Sequence, residues 1–173
     1  MSLKIYAARK SYGWFFLALI ALPFLLLGGF LVHIYLTTKY TSLLLSIFIC
    51  LGIALPFLII LISLPSMNYE LDDEKLVIKC GLLKYVVPSS SIKRITKRDL
   101  EISLWSGLRL PGLALFTVPY LDVGKVKMCA TSASKGIILI ETDLDLYGIT
   151  PADEDEFIAD FRSRIGGNDD ETI

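Results

Sequence analysis

The chain has 173 residues, 54% of them hydrophobic, with a mean hydropathy of +0.61 and a net charge of −1. Such hydropathy is high for a water-soluble domain, and the length allows only one compact domain beside any long apolar segment. A balanced charge argues against a nucleic-acid partner, and one His with three unpaired-looking Cys argues against a zinc site.

The balance conceals a division. Residues 1–66 carry Lys4, Arg9, Lys10 and Lys39 and no acid, whereas residues 67–173 carry 13 basic and 18 acidic residues. Residues 1–12 read as a short basic tail. A first apolar run of about 28 residues follows between Lys10 and Lys39, and a second of about 30 between Lys39 and Glu70. A helix needs about 20 apolar residues to cross a bilayer core. Residues 13–65 are therefore expected to form a transmembrane hairpin with spans near 13–36 and 42–64. The first run is too long for a signal-peptide core, and Val32 to Leu36 offers no small-residue cleavage site, so no cleavage is expected. Tyr12, Trp14, Tyr35 and Tyr40 fall where interfacial aromatics would sit, and His33 is the only side chain of the first run that titrates near neutral pH. Pro23 and Pro56 favour kinks, while Gly28-Gly29 and Gly52 to Ala54 would let helices approach closely. Such a hairpin serves either as an anchor or as a transport or partner-binding bundle. Three bases in the tail and Lys75, Lys79 and Lys84 after the second span outweigh Lys39, which puts both termini on the cytoplasmic face of a multi-pass membrane protein.

From Met67 the pattern becomes short runs of alternating polarity. Strands are expected at 68–71, 75–80 and 84–88, the first two separated by the polar turn Asp72-Asp73-Glu74. Ile92–Arg98 reads as a bent strand or a single helical turn. Leu100 to Phe116 is read as a loop entering a strand near Leu115, with a hairpin about Asp122-Val123-Gly124 and further strands at 136–141 and 144–149. Seven or so short strands suggest a small barrel or sandwich. Thr150 and Pro151 look like the N-cap and first residue of a helix of about 15 residues, with acids in its first turn, Arg162 and Arg164 in its last and Gly166-Gly167 as its stop. Phe157, Ile158, Phe161 and Ile165 give it one apolar stripe. Residues 167–173 form an acidic tail, expected to be disordered. Cys80 and Cys129 are open to two readings, a disulfide or a pair of buried thiols.

Antiparallel strands closed by one C-terminal amphipathic helix is the plan of a pleckstrin-homology (PH) domain. YELDDEKLVIKCGLLKYVVPSSSIKRI and GIILIETDLDLYGITPADEDEFIADFRSRI resemble the bacterial and archaeal PH-like domains that often follow a pair of transmembrane helices. The second piece carries the strand exit Tyr147, Ile149, Thr150 and Pro151. The resemblance covers roughly 67–166 and implies a transmembrane hairpin followed by a mainly-β PH-like barrel or sandwich. It implies an interaction module and supplies no catalytic residue.

The acids lie mostly in a turn, on the helix or in the tail, no phosphate-cradling glycine motif opens a helix, and His33 has no domain serine nearby in sequence. No enzyme activity, cofactor, metal or small-molecule substrate is expected. Two candidate contact regions remain. Lys93, Arg94, Lys97 and Arg98 place four positive charges within six residues; near an anionic membrane each would contribute about 1 kcal/mol. Their alternative role is to guard a strand edge with charge. Trp105, Leu108, Arg109 and Leu110 belong to an apolar stretch that either touches lipid or a partner chain or lies in the core. The expected function is a membrane-anchored scaffold that binds protein partners or self-associates. The alternatives are an anionic-lipid binder using 93–98 and an accessory subunit of a transporter or membrane enzyme.

Overall fold

The computed structural model describes residues 3–103 and 107–164, with Leu108 described in its backbone only. The chain forms two compact units, one made of the residues up to Gly13 together with those from Ser66, the other of Trp14–Pro65.

The second unit is a pair of helices, α1 (Gly13–Thr38, its first residue belonging to the other unit) and α2 (Leu43–Ser63). Both ends fall close to the expected bounds. Lys39 ends α1 in the left-handed region (φ 58°), its N–H donating to Tyr35 O at 2.8 Å. Three hydroxyls bond back within the helices, Thr37 and Thr38 to His33 O and Ile34 O and Ser63 to Ile59 O. Ala21 and Gly28 on α1, and Ile47, Cys50 and Ala54 on α2, are buried at the spacings of a single seam. A Cβ at Gly28 would meet Cys50 Cβ at 3.5 Å, whereas Gly29 and Gly52 face open space. Outside that seam Leu19, Leu22, Leu26, Phe30, Leu45, Phe48 and Ile62 are exposed. The helices thus show apolar side chains on nearly every face.

The first unit holds two sheets and a helix. The first sheet has order β1-β2-β3-β4, with β1 Lys4–Ala7, β2 Asn68–Leu71, β3 Lys75–Cys80 and β4 Leu83–Pro88, all antiparallel. Residues 1–12 are therefore not a detached tail: Lys4–Ala7 pairs with Leu71–Asn68 as an edge strand, because its Tyr6 is apolar enough to be buried on the core face while Ile5 and Ala7 point out. The second sheet has order β5-β9-β10-β8-β7-β6, with β5 Ile92–Arg98, β6 Leu108–Leu110, β7 Leu113–Tyr120, β8 Gly124–Ala130, β9 Ile137–Thr142 and β10 Leu146–Ile149. Its β8–β10 pair is parallel. The strands make two open sheets rather than a closed barrel.

One local alternative is decided and two local expectations change. Ile92–Arg98 is a strand, bent by a bulge in which Ile92 pairs with Thr142 and Arg94 with Glu141, leaving Lys93 as the extra residue. The stretch expected to be a loop into Leu115 contains β6 and a strand already begun at Leu113, joined by Pro111-Gly112 with Gly112 at φ 77°. Thr150 does not cap a helix. It is fully buried, its Oγ1 accepts from Thr131 N at 2.8 Å, and α3 starts later, at Glu154, and runs to Arg164. The first turn closes through Phe157 N–H to Asp153 O at 3.0 Å. The expected stop at Gly166-Gly167 and the acidic tail lie outside the described residues.

The second sheet is buried on both faces around β9, where Ile137 to Ile140 are all fully buried, so this strand reads as a continuous apolar run. On one face Ile137 and Leu139 join Ala114, Val118, Val126, Met128 and Leu100. Gly148 is required there, since a Cβ would lie 2.3 Å from Met128 Sδ. Tyr69 ties the sheets together: its hydroxyl donates to Cys129 O at 2.7 Å and accepts from Thr150 N at 3.3 Å. Cys80 and Cys129 are buried free thiols, and Cys129 Sγ donates to Lys79 O at 3.6 Å. Burial, and then the adjacent Cys80, push the Cys129 thiol far up, which makes it inert.

Candidate functional site

The basic cluster lies on β5, an edge strand of the second sheet. Each base has an acid near it, contributed by a different element. Lys93 Nζ is 3.0 Å from Asp143 in the β9–β10 turn. Lys97 Nζ is 2.6 Å from Glu154 at the start of α3, and that carboxylate raises the Lys97 pKa. Arg98 reaches Asp122 in the β7–β8 turn at 2.7 Å, and Arg94 stands opposite Glu141 in register. The four charges remain solvent-facing but are dispersed among separate partners instead of converging on one point. This is the arrangement of a charge-guarded edge.

The second candidate stretch divides. Trp105 lies outside the described residues, as does the Leu108 side chain. Leu110 is half-buried. Arg109 is a structural pin: one terminal nitrogen donates to Ser103 O at 2.6 Å, its guanidinium lies 5.4 Å from the Tyr120 ring centre, and Nη1 is buried without a hydrogen-bond partner. Tyr120 in turn donates to Ala133 O at 2.6 Å, and burial pushes its pKa up to about 12. Arg109 is thus committed to Ser103 and Tyr120.

An interaction absent from the sequence reading joins β1 to α3. Lys4 Nζ lies 2.7 Å from Glu156 and 2.6 Å from Asp160, Arg9 Nη1 lies 2.9 Å from Glu154, and the Tyr6 hydroxyl donates to Asp160. Lys4 and then Tyr6 hold the Asp160 carboxyl below its usual range, and Asp160 and Glu156 raise the Lys4 ammonium. Backbone bonds continue the join, from Arg9 N to Thr150 O and from Ala152 N to Ala7 O, both 2.9 Å. The signal was available in the charge division: the acid-free N-terminal segment supplies the bases that the acidic α3 requires. Next to this clasp an open cleft of about 450 Å³ is lined by Lys97 and Ala152 to Glu156. Of its carboxylates, Glu154 is engaged by Arg9 and Lys97 and Glu156 by Lys4, and among the described residues no group of three His, Cys, Asp or Glu could hold a metal.

The described residues thus offer surfaces for contact and an internally paired charge network. A family model for the bacterial PH domain matches residues 67–165, which is β2 through α3. No curated protein and no solved structure matches. With more than half of its length in that match, the chain belongs to the bacterial PH-domain family.

Proposed function

We propose that this chain is a non-enzymatic, membrane-anchored interaction module, with α1 and α2 crossing the bilayer as a hairpin and the PH domain at the cytoplasmic face, where it binds a protein partner or self-associates. One observation carries the reading. The β-domain is built from the residues up to Gly13 together with those from Ser66, with β1 paired to β2, so the chain leaves one compact unit before α1 and returns to the same unit after α2. Anything inserted between those points must begin and end on the same side. Two spans satisfy that condition and one does not. The inserted helices are 26 residues and, with the short 3-10 turn at its end, 24 residues long, and only 17% of each most apolar window is buried, far less than in the core helix of a soluble domain.

The lipid-binding alternative through Lys93, Arg94, Lys97 and Arg98 has weaker support, because three of these bases already face acids of the same chain at 2.6–3.0 Å. Their replacement by Gln is expected to leave vesicle binding of the full chain unchanged, and a salt-sensitive loss would favour the lipid reading instead. The interaction reading is tested by purifying the full chain in mild detergent and measuring the mass of the complex. A defined oligomer or a stoichiometric partner is expected, and a lone monomer at all concentrations would overturn it.

A further inference from the structure

We propose that β4 pairs antiparallel with β4 of a second copy of this chain, Lys84 lying opposite Val86 of that copy, so that the two first sheets become one. The inference deepens the self-association reading above and rests on it. The β-domain has four strand edges, and three of them are protected. β5 carries a bulge and four bases, and β6 is three residues long. β1 is capped at Ala7, whose carbonyl accepts from Ala152 N–H, and is clasped by α3. β4 is the outermost strand of the first sheet. Among the described residues no backbone group pairs with it on the side away from β3. Val86 is 51% exposed there, with Lys84 and Pro88 exposed on either side of it.

The ladder determines which backbone groups are free. Asp72 N–H donates to Lys75 O at 3.0 Å and Ser89 N–H to Glu74 O at 2.9 Å. Hydrogen-bonded and non-hydrogen-bonded pairs alternate along an antiparallel ladder. β3 therefore bonds β2 through Lys75, Val77 and Lys79, and bonds β4 through Leu76, Ile78 and Cys80, opposite Val87, Tyr85 and Leu83. The N–H and C=O of Lys84 and Val86 are left pointing outward. Three symmetric registers could join them to a second copy. Lys84 against Lys84 sets like charges opposite each other. Val86 against Val86 sets Lys84 against Pro88, which has no N–H and whose carbonyl already accepts from Ser91 Oγ at 2.8 Å. Lys84 against Val86 gives every outward donor an acceptor and lays each lysine stem along a valine. It also sets Tyr85 against Tyr85 at the two-fold axis, in a non-hydrogen-bonded pair, where side chains come closest. Tyr85 is half-buried, its ring centre 5.7 Å from that of Tyr147, and the second copy covers the rest of it. Pro88 ends the ladder on each side, and the pairing uses the same edge in both copies, so it closes as a dimer.

The test uses the full chain in mild detergent. Val86→Pro removes an outward donor and leaves the β3–β4 ladder whole, because the Val86 N–H takes no part in it. The protein mass of the unsubstituted complex is expected at twice the 19.3 kDa of the chain, and that of Val86→Pro at the chain mass with unchanged circular dichroism. Oxidative cross-linking reads the register separately, with chains carrying Lys84→Cys or Val86→Cys. A hydrogen-bonded pair holds its Cα atoms about 5.5 Å apart, within the reach of a disulfide. A mixture of the two variants is expected to give severalfold more linked dimer than either alone, and the unsubstituted chain, whose three thiols are buried, to give none. An oligomer that survives Val86→Pro, a single copy bound to a different protein, or a mixture that links no better than the separate variants would overturn the inference and leave the interaction reading standing. A lone monomer of the unsubstituted chain at all concentrations would overturn both.

Discussion

Tyr69 shows what a single side chain contributes here. Fully buried, it gives one hydrogen bond to β8 and takes one from the end of β10. Tyr69→Phe leaves Cys129 O and Thr150 N–H unsatisfied in the core and is expected to cost about 1–3 kcal/mol, read as a lowered denaturation midpoint with an unchanged slope. A negligible shift would mean that water replaces the hydroxyl. That Tyr69 faces inward was legible from the alternation of Asn68–Leu71. Its partners were not, because they lie 60 and 81 residues away in sequence. Gly13 carries the same lesson. It reads as the start of an apolar helix, yet a Cβ there would stand 2.5 Å from Gly112 O in the turn between β6 and β7. Gly13→Ala is expected to destabilise the β-domain while leaving α1 helical, since Ala is the better helix former. Circular dichroism with thermal melting distinguishes the two effects.

Among the elements, the clasp between β1 and α3 is the most exposed to perturbation. Glu154 takes both Arg9 and Lys97 and is itself mostly buried. Glu154→Gln is expected to cost about 1–3 kcal/mol and to speed amide exchange in β1 ahead of the other strands. Exchange unchanged in β1 would show that the ion pairs add nothing to the ladder. The pH dependence follows from the signs. The Asp160 pKa is lowered from its ordinary 3.8, so its contribution is present above that value and is lost as the pH falls through the lower folded one. Lys4 is raised above 10.5, so its contribution is complete below that pH and is lost only in stronger alkali. Protection of β1 should therefore be flat between about pH 4 and 10 and decline below; a decline beginning near neutrality would contradict the assignment. Most strands were readable from alternation and turn residues, to within a residue or two at β2, β3, β4 and the β7–β8 hairpin. β1 was not, since four residues beside a long apolar run carry no periodicity of their own, and only the distant β2 edge and α3 acids give them a role. Thr150 misled because Thr-Pro suits an N-cap in isolation, whereas here the hydroxyl satisfies Thr131 N. The bases of 93–98 were visible as a cluster, but their acids come from two separate turns, a neighbouring strand and a helix start, so their pairing could not be seen locally.

At the scale of the molecule, the two apolar helices lie between β1 and β2 of the β-domain. The family match begins at residue 67 and leaves out β1, so the N-terminal strand and the two helices are additions to the shared domain. That arrangement ties the helical segment into the fold: β1 cannot pair with β2 unless both ends of that segment return to the β-domain. The account therefore stands on the placement of Lys39, in the connection between α1 and α2, relative to the two termini. In sealed, oriented membranes, a membrane-impermeant thiol reagent applied from each side to chains carrying a single added cysteine, at Lys39 or at either end, measures it directly. The account predicts both termini reachable from the cytoplasmic side and Lys39→Cys only from the other; reactivity of all three sites from one side, or release of the chain into the aqueous fraction, would contradict it.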